Sequence, residues 1–264
     1  MSGARSGEVF FPAIGALWRR ELVHFFRQPA RVAGAVGSPL LFWLFLGSGL
    51  SSSFRLPGAA AAGAAGPSYF RFFFPGTITL VVVFAAIFAS ISLIQDRNAG
   101  FLQGVLTAPV ARSAIMLGKV LGGATIAWVQ GLFFLLLAPL AGIPFSLRAL
   151  LAAAGALAAT AFAVSALGFA CAWRIETVQG YHAVMNLVML PMWLLSGALF
   201  PADGAPVWIS LLMRANPLAY GLALLRATLD PAAVPAGSLP PSVTLTVTLG
   251  FGALFLVAGL WAIG

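Results

Sequence analysis

Very few side chains in this chain could form a site for nucleotide, metal or acid–base chemistry. It has six acidic residues, two histidines and one cysteine, Cys171. The histidines, His24 and His182, are isolated, and no cluster of His, Asp and Glu has metal-site spacing. The pair Gly118-Lys119 is followed by Val120 and lacks the glycine-rich turn and the Ser or Thr of a phosphate-binding loop. We therefore predict no enzyme activity, no bound cofactor and no ATP site in this chain.

The residues with the most polar character lie between two long apolar stretches, at positions 95–119. In a chain that is 61% hydrophobic and only 8% charged, such a segment is costly unless water reaches it. An apolar face at three-and-four spacing lies within it, formed by Phe101, Leu102, Val105 and Leu106. Two interpretations follow. The segment is a solvated loop whose charges reach water, which accounts for Arg112 and Lys119, or its residues 101–106 form a short helix that is presented to a cytoplasmic partner and ends at Ala108-Pro109.

The elements that carry this segment are predicted to be membrane-spanning helices. A mean hydropathy of +1.02 and 22 phenylalanines exceed what a soluble core of this size would bury. The apolar runs are continuous and do not alternate, which favours helices over a β-barrel. We predict an all-α polytopic membrane protein, one domain over residues 1–264, with six transmembrane helices near 32–50, 72–94, 114–137, 147–170, 182–200 and 243–263.

Two further segments are apolar but are not predicted to span. Residues 12–31 are amphipathic, which predicts an interfacial helix in the headgroup plane, with Trp18 and its phenylalanines in lipid and an end at Pro29. Residues 201–241 contain two short apolar pieces, 207–213 and 218–229, separated by Arg214 to Pro217. Pieces of this length predict re-entrant helices in the outer leaflet between spans five and six.

The distribution of basic residues predicts the orientation. An N-terminus in the cytoplasm places nine of the fourteen Lys and Arg residues inside and five outside, as the positive-inside rule favours. The residues inside would be Arg5, Arg19, Arg20, Arg27, Arg31, Arg97, Arg112, Lys119 and Arg174. This dispersed pattern also argues against nucleic acid as a partner, despite the net charge of +8. The first apolar run begins after Arg31, so we predict no cleaved signal peptide.

Four segments, in order along nearly the whole chain, resemble the membrane subunit of ABC-2 type exporters, above all the drug-exporter and nodulation-like branch. The segments are Trp18-Arg19-Arg20-Glu21 with Arg27-Gln28-Pro29, Asp96 to Leu102 with Leu106 to Pro109 and Gly118-Lys119, Leu195 to Pro201, and Asn216 to Tyr220 followed by Arg226. The resemblance implies a half-transporter that assembles with a second permease copy or a paralogue, in contact with membrane lipids, and with separate ABC ATPase subunits.

The resemblance also assigns roles to residues. The ATPase-coupling residues would be Asp96, Arg97, Gly100, Phe101, Leu102, Leu106 and Pro109. The interfacial helix would rest on the ATPase through Trp18, Arg19, Arg20, Glu21 and Arg27. The external gate would include Asn216, Pro217 and Tyr220. The second and fifth spans would line a translocation path with Thr77, Phe84, Phe88, Met185, Asn186, Met189 and Trp193.

The function that we predict is the permease subunit of an ATP-driven exporter in a bacterial cytoplasmic membrane. An adaptable, mostly apolar path suits lipophilic or lipid-linked cargo that leaves the cytoplasm or the inner leaflet. The alternatives are a membrane scaffold that couples to an ATPase without transporting, and a carrier that works alone. The scarcity of charge inside the spans counts against the carrier.

Overall fold

The computed structural model describes residues 3–50, 68–108, 110–144, 146–200, 206–231, 234 and 238–263. These residues form ten α-helices and no strand, which confirms the prediction of an all-α polytopic membrane protein. The helices are α1 Gly3–Phe26, α2 Pro29–Gly49, α3 Tyr69–Asn98, α4 Phe101–Thr107, α5 Arg112–Leu135, α6 Leu147–Arg174, α7 Val178–Trp193, α8 Val207–Ala215, α9 Pro217–Leu229 and α10 Pro241–Ile263. A 3-10 turn, Ala138–Ala141, joins α5 to α6.

Five of the helices, α2, α3, α5, α6 and α10, are long and apolar enough to cross a membrane. The predicted fifth span, 182–200, is α7 with only 16 residues, continued by a π-helical segment, Leu194–Ala198. That segment contains Gly197 with a φ of 88°, which interrupts the helix before it reaches the predicted end. The predicted re-entrant pieces are α8 and α9, which meet at 83° and together count as a sixth candidate span.

The helix α3 lies at the centre of the bundle. In its apolar stretch 89% of the residues are buried inside the protein, whereas only 22% are buried in α2 and in α10. The outer helices therefore turn most of their apolar surface outward, as lipid contact requires. Trp43 anchors α2 to the centre, since its ring stacks on Phe70 and its indole N–H donates to the Phe70 carbonyl at 3.0 Å.

The N-terminal helix packs along α5, which corrects part of the sequence-based prediction. Residues 12–31 were expected to form one interfacial helix, but α1 ends at Phe26 and Pro29 begins α2, a position that favours proline. Phe25 does not face lipid. It is 3% exposed and packs with Ala89 and Ile126. The predicted lipid contact fits Phe26, which is half exposed.

Two glycines on α5 explain this close approach. A β-carbon at Gly118 would lie 2.8 Å from the Leu17 β-carbon, and one at Gly122 would lie 2.6 Å from the Glu21 β-carbon. Glycines four residues apart form a shallow surface on a helix, so that the backbone of a second helix comes close. The groove they form therefore lets α1 bury its apolar face against protein.

The Gly122→Ala variant tests this contact. The added methyl group has no room beside Glu21, so we expect α1 to shift and the free energy of unfolding to fall by about 1–3 kcal/mol. Gly15→Ala is the matched control, because nothing lies within 4 Å of a β-carbon there and alanine favours the helix. Thermal unfolding in detergent measures both. Equal stability of the two variants would contradict the described packing of α1.

Candidate functional site

Four charged side chains from three helices meet next to α4, and we call them the charge cluster. Arg20 and Glu21 come from α1, Asp96 from the end of α3 and Lys119 from the second turn of α5. The positions follow from the packing just described. The glycine groove of α5 brings the Glu21 side chain against Gly122, one turn from Lys119.

Hydrogen bonds join all four residues of the charge cluster. The Arg20 guanidinium donates to both carboxylate oxygens of Asp96, at 2.6 and 2.5 Å. The Lys119 ammonium lies between the two acids, donating to Glu21 Oε1 at 2.6 Å and to Asp96 Oδ2. Ser92 of α3 donates to the other oxygen of Glu21. The fork of arginine and the three donors of lysine suit this arrangement.

Because most of the charge cluster is buried, its positive and negative charges must compensate each other for the fold to be stable. The side chains of Lys119 and Glu21 are each 1% exposed and that of Asp96 is 4% exposed, while Arg20 keeps 35%. Two positive and two negative charges cancel, so that each buried charge has an opposite partner. A buried ion that loses its partner costs several kcal/mol, so the cluster ties α1, α3 and α5 together as one unit.

Arg20 connects the charge cluster to α4. Its guanidinium carbon lies 3.8 Å from the centre of the Phe101 ring, at the start of α4, in cation–π contact. The hydrogen bonds with Asp96 raise the pKa of Arg20 above its ordinary value, so that the guanidinium remains charged. The short helix therefore rests on a fixed positive charge.

The structure contradicts the interpretation of Lys119 as a solvated loop residue. Its ammonium is buried, and the chain itself supplies the two carboxylates that compensate it. A signal was present in the sequence, since Lys119 lies inside the predicted span 114–137, where an ionisable residue normally has a partner. Arg112 is exposed at the start of α5, and it donates to the carbonyl of Ile263 at 2.9 Å.

The structure separates the predicted ATPase-coupling residues into two groups. Asp96 and Leu102 are buried, at 3% each, so they hold α4 in place and do not offer a surface to a partner. Arg97 is half-buried and donates to the carbonyls of Trp173 and Ile175, at the end of α6. Phe101 and Leu106 are exposed, at 37% and 41%. Gly100 joins α3 to α4 with a φ of 74°, and Pro109 lies outside the described residues.

Grooves border α4 on both sides. One, of about 470 Å³, is lined by both polar and apolar side chains: Arg97, Asn98, Leu102, Gln103, Leu106, Trp173 and Glu176. The other, of about 410 Å³, is apolar and is lined by Ala13, Ala16, Leu17, Phe101, Gly104, Val105, Ala108 and Val110. The sequence did not predict that the α6–α7 connection contributes Glu176 to the first groove, because the two polar residues of this connection, Glu176 and Thr177, form no recognisable motif.

The predicted interfacial residues also fall into two groups, those that are exposed and those that belong to the charge cluster. Arg19 on α1 and Arg27, one residue beyond its end, are exposed. Trp18 is 38% exposed, and its indole N–H donates to the Thr125 hydroxyl at 3.0 Å. Arg20 and Glu21 belong to the charge cluster, so Glu21, at 2% exposure, is not available to a partner.

Most predicted path residues lie inside the single chain. Thr77, Met185, Met189 and Trp193 are buried, and the Thr77 hydroxyl donates to the Phe73 carbonyl of its own helix. The buried residues of α7 recur every four positions and therefore form one face of the helix. This face packs against the rest of the chain, and Trp193 donates from it to the Gly76 carbonyl of α3. Only Asn186 is on the open face of α7, next to exposed Leu187, while Phe84 and Phe88 are half-buried.

The predicted gate residues lie at the other end of the bundle. Asn216 stands at the bend between α8 and α9, where its amide donates to the Met192 carbonyl at 2.5 Å and accepts from the Leu218 N–H at 3.0 Å. Pro217 is the first residue of α9. The Tyr220 hydroxyl donates to the Arg214 carbonyl at 2.7 Å.

The charge balance of the cluster predicts the effect of Lys119→Met. This change leaves Glu21 and Asp96 with only one nearby cation, and we expect the free energy of unfolding to fall by about 3–5 kcal/mol. Adding Glu21→Gln removes the surplus charge, keeps an acceptor for Ser92 and should restore more than half of that loss. Denaturant unfolding in detergent measures both variants. A single variant as stable as the parent, or a double variant less stable than the single one, would contradict the cluster.

Known proteins resemble this chain over most of its length. The family model described as ABC-2 type transporter matches residues 12–229, a range that contains the charge cluster, α4 and α9. A putative transport permease ycf38 of Cyanophora paradoxa is 26% identical over 223 residues, 82% of this chain and 74% of that protein. Nodulation protein J of Rhizobium leguminosarum bv. viciae is 29% identical over 217 residues, 81% of each chain.

Nodulation protein J of Sinorhizobium fredii extends this similarity toward the ends, with 26% identity over 249 residues, 93% of this chain and 91% of that protein. The candidate membrane-spanning helices and the family match lead to the same assignment. The chain belongs to the ABC-2 type transporter family and is a multi-pass membrane transport permease.

Proposed function

We propose that this chain is the membrane half of an ATP-driven exporter, with ATP hydrolysed by a separate ABC ATPase subunit that docks on α4. The observation that carries the proposal is the form of α4. It is a seven-residue helix with exposed Phe101 and Leu106, bordered by two grooves and fixed to three other helices through the charge cluster. A helix this short is not stable alone and needs such support.

Through the charge cluster, a displacement of α4 would be transmitted to the helices α1, α3 and α5. Force on Phe101 reaches Arg20, and through Arg20 it reaches Asp96 on α3. Lys119 and Glu21 pass it to α5 and α1. Because separating these charges is costly in a dry site, the four helices tilt together and do not deform one by one.

The orientation follows from the same assignment. The end of the bundle with α1 and α4 would face the cytoplasm, where ATP is present, and α8 and α9 would lie on the opposite side of a bacterial cytoplasmic membrane. The exposed Arg19 and Arg27 would then face anionic headgroups or acidic groups of the ATPase.

The cargo path would run along the open face of α7. Leu187 and Leu190 are exposed there at 76% and 45%, and Asn186 is exposed beside them. A second copy of the chain, or a paralogue, would close this face and enclose a largely apolar passage. Such a passage suits lipophilic or lipid-linked cargo.

The Leu106→Asp variant tests ATPase docking. Leu106 supports little of the fold because it is exposed, so the permease should remain stable while a co-expressed, tagged ATPase no longer co-purifies. Leu102→Asp would not be a clean test, since that side chain is buried. Leu140→Asp is the control, because Leu140 is exposed at 71% in the 3-10 turn at the other end of the bundle.

Two results decide the proposal. Loss of the ATPase from Leu106→Asp but not from Leu140→Asp supports docking on α4. Normal co-purification of both variants would refute it. In proteoliposomes with both subunits, cargo that stimulates ATP hydrolysis and accumulates across the membrane distinguishes an exporter from a scaffold.

A further inference from the structure

Gln130 places a polar amide inside the bundle, on the spanning helix α5. The residue is 4% exposed, and neither its Oε1 nor its Nε2 has a hydrogen-bond partner among the residues that the structure describes. Turning the amide over does not change this, because both of its ends are unpaired. Native proteins seldom bury an amide in this way, since the bonds to water that it gives up are not replaced. The amide therefore calls for a polar partner.

The position of Gln130 is remote from both membrane surfaces. A β-carbon at Gly131, the next residue, would lie 3.1 Å from Val82 Cγ2. Val82 is close to the middle of the thirty-residue helix α3, so that each end of α3 is roughly 20 Å away along its axis. Bulk water at either surface is too distant to satisfy the amide, and its partner has to lie within the bundle.

A second polar group in the bundle has lost its usual partner. Pro39 stands inside α2, and proline has no N–H, so that the Ala35 carbonyl lacks the donor that an α-helix supplies four residues later. Ala35 is 0% exposed, and Pro39 is buried as well. Proline inside a membrane helix is tolerated where neighbouring groups or ordered water satisfy the carbonyl that it frees.

The packing of α5 turns Gln130 toward α2. One turn before Gln130, Ile126 belongs to the small cluster against which Val32 of α2 packs. One turn after Gln130, the Phe134 ring lies 6.3 Å from the ring of Trp43 in α2. Gln130 shares this face of α5 with both residues. It therefore lies level with the part of α2 between Val32 and Trp43.

That part of α2 contains the freed carbonyl. Ala35, Pro39 and Trp43 follow each other at four-residue spacing and are all buried, so they form the inner face of α2. The Gln130 amide does not reach the Ala35 carbonyl directly, since its Nε2 has no acceptor among the described residues. The two groups thus need a small molecule between them that can donate to a carbonyl and bond an amide.

We propose that Gln130 and the Ala35 carbonyl hold an ordered water molecule between them, inside the bundle. Water fits both groups, because it donates to the carbonyl and can in addition accept from Nε2 or donate to Oε1. The site explains how α2 keeps a buried proline and why α5 carries an amide at this depth. It stabilises the chain whatever the cargo is, so it does not depend on the proposed export function.

The competing explanation is that Gln130 only fills space and that its amide has no partner. The two explanations predict opposite results for Gln130→Met, which keeps a long unbranched side chain but removes the amide. Without a bound water, the variant is more stable than the parent, because a costly buried group is gone. With a bound water, the variant is less stable, because the Ala35 carbonyl loses the molecule that satisfies it.

A double-mutant cycle with Pro39→Ala tests whether the two groups share the water. We expect Gln130→Met to raise the ratio of unfolded to folded protein about tenfold in denaturant unfolding in detergent, as for one lost hydrogen bond. Alanine at position 39 returns an N–H to the Ala35 carbonyl, so in that background Gln130→Met should no longer destabilise the protein. Gln103→Met, at an exposed glutamine of α4, is the matched control and should change nothing. Greater stability of Gln130→Met, or an equal loss in both backgrounds, would overturn the proposal.

Solid-state NMR of the parent protein in lipid bilayers detects the water itself. The chain has five glutamines, and the amide signal that disappears in Gln130→Met, or in Gln130→Asn if the first variant does not fold, is that of Gln130. We expect magnetisation to pass from water to this amide. The indole N–H of Trp193, which is 1% exposed and bonded to the Gly76 carbonyl at 2.8 Å, should receive none in the same time. Transfer from lipid acyl chains alone, or no transfer to the amide, would refute the water site.

Discussion

The ammonium of Lys119 is the group on which the arrangement at the α4 end depends. It is almost completely buried and is compensated only because Glu21 and Asp96 reach it from two other helices. The glycines of α5 make this possible, since a β-carbon at Gly122 would collide with the Glu21 side chain. Packing and charge thus require each other: without the groove the ions could not meet, and without the ions the groove would not fix α1 in register.

The two ends of the bundle are connected through α3 but are held by different interactions. At the α4 end, full charges in a dry site join helices that resist separation. At the α9 end, hydrogen bonds from neutral and charged side chains satisfy carbonyls at an interrupted helix, which other donors can replace.

The sequence predicted the helices well because membrane spans and short amphipathic pieces have strong hydrophobic patterns. The predicted limits of α4, α8 and α9 lie within about two residues of the limits in the structure. The packing of α1 and the burial of Lys119 were not predicted, because both depend on which helices become neighbours. Similarly, the resemblance assigned Met185 and Met189 to a translocation path, but the sequence could not show that this face of α7 packs against α3 within the chain.

The most direct test of the central claim asks whether α1 and α4 move as one body. Spin labels at Arg19 and Gln103, both exposed, report the distance between these helices in the complex with the ATPase. We predict the same narrow distance distribution without nucleotide and with ATP trapped by vanadate, and a broad distribution once Arg20→Gln removes the link to Asp96 and Phe101. A distance that changes with nucleotide in the parent protein, or that ignores Arg20→Gln, would contradict the account.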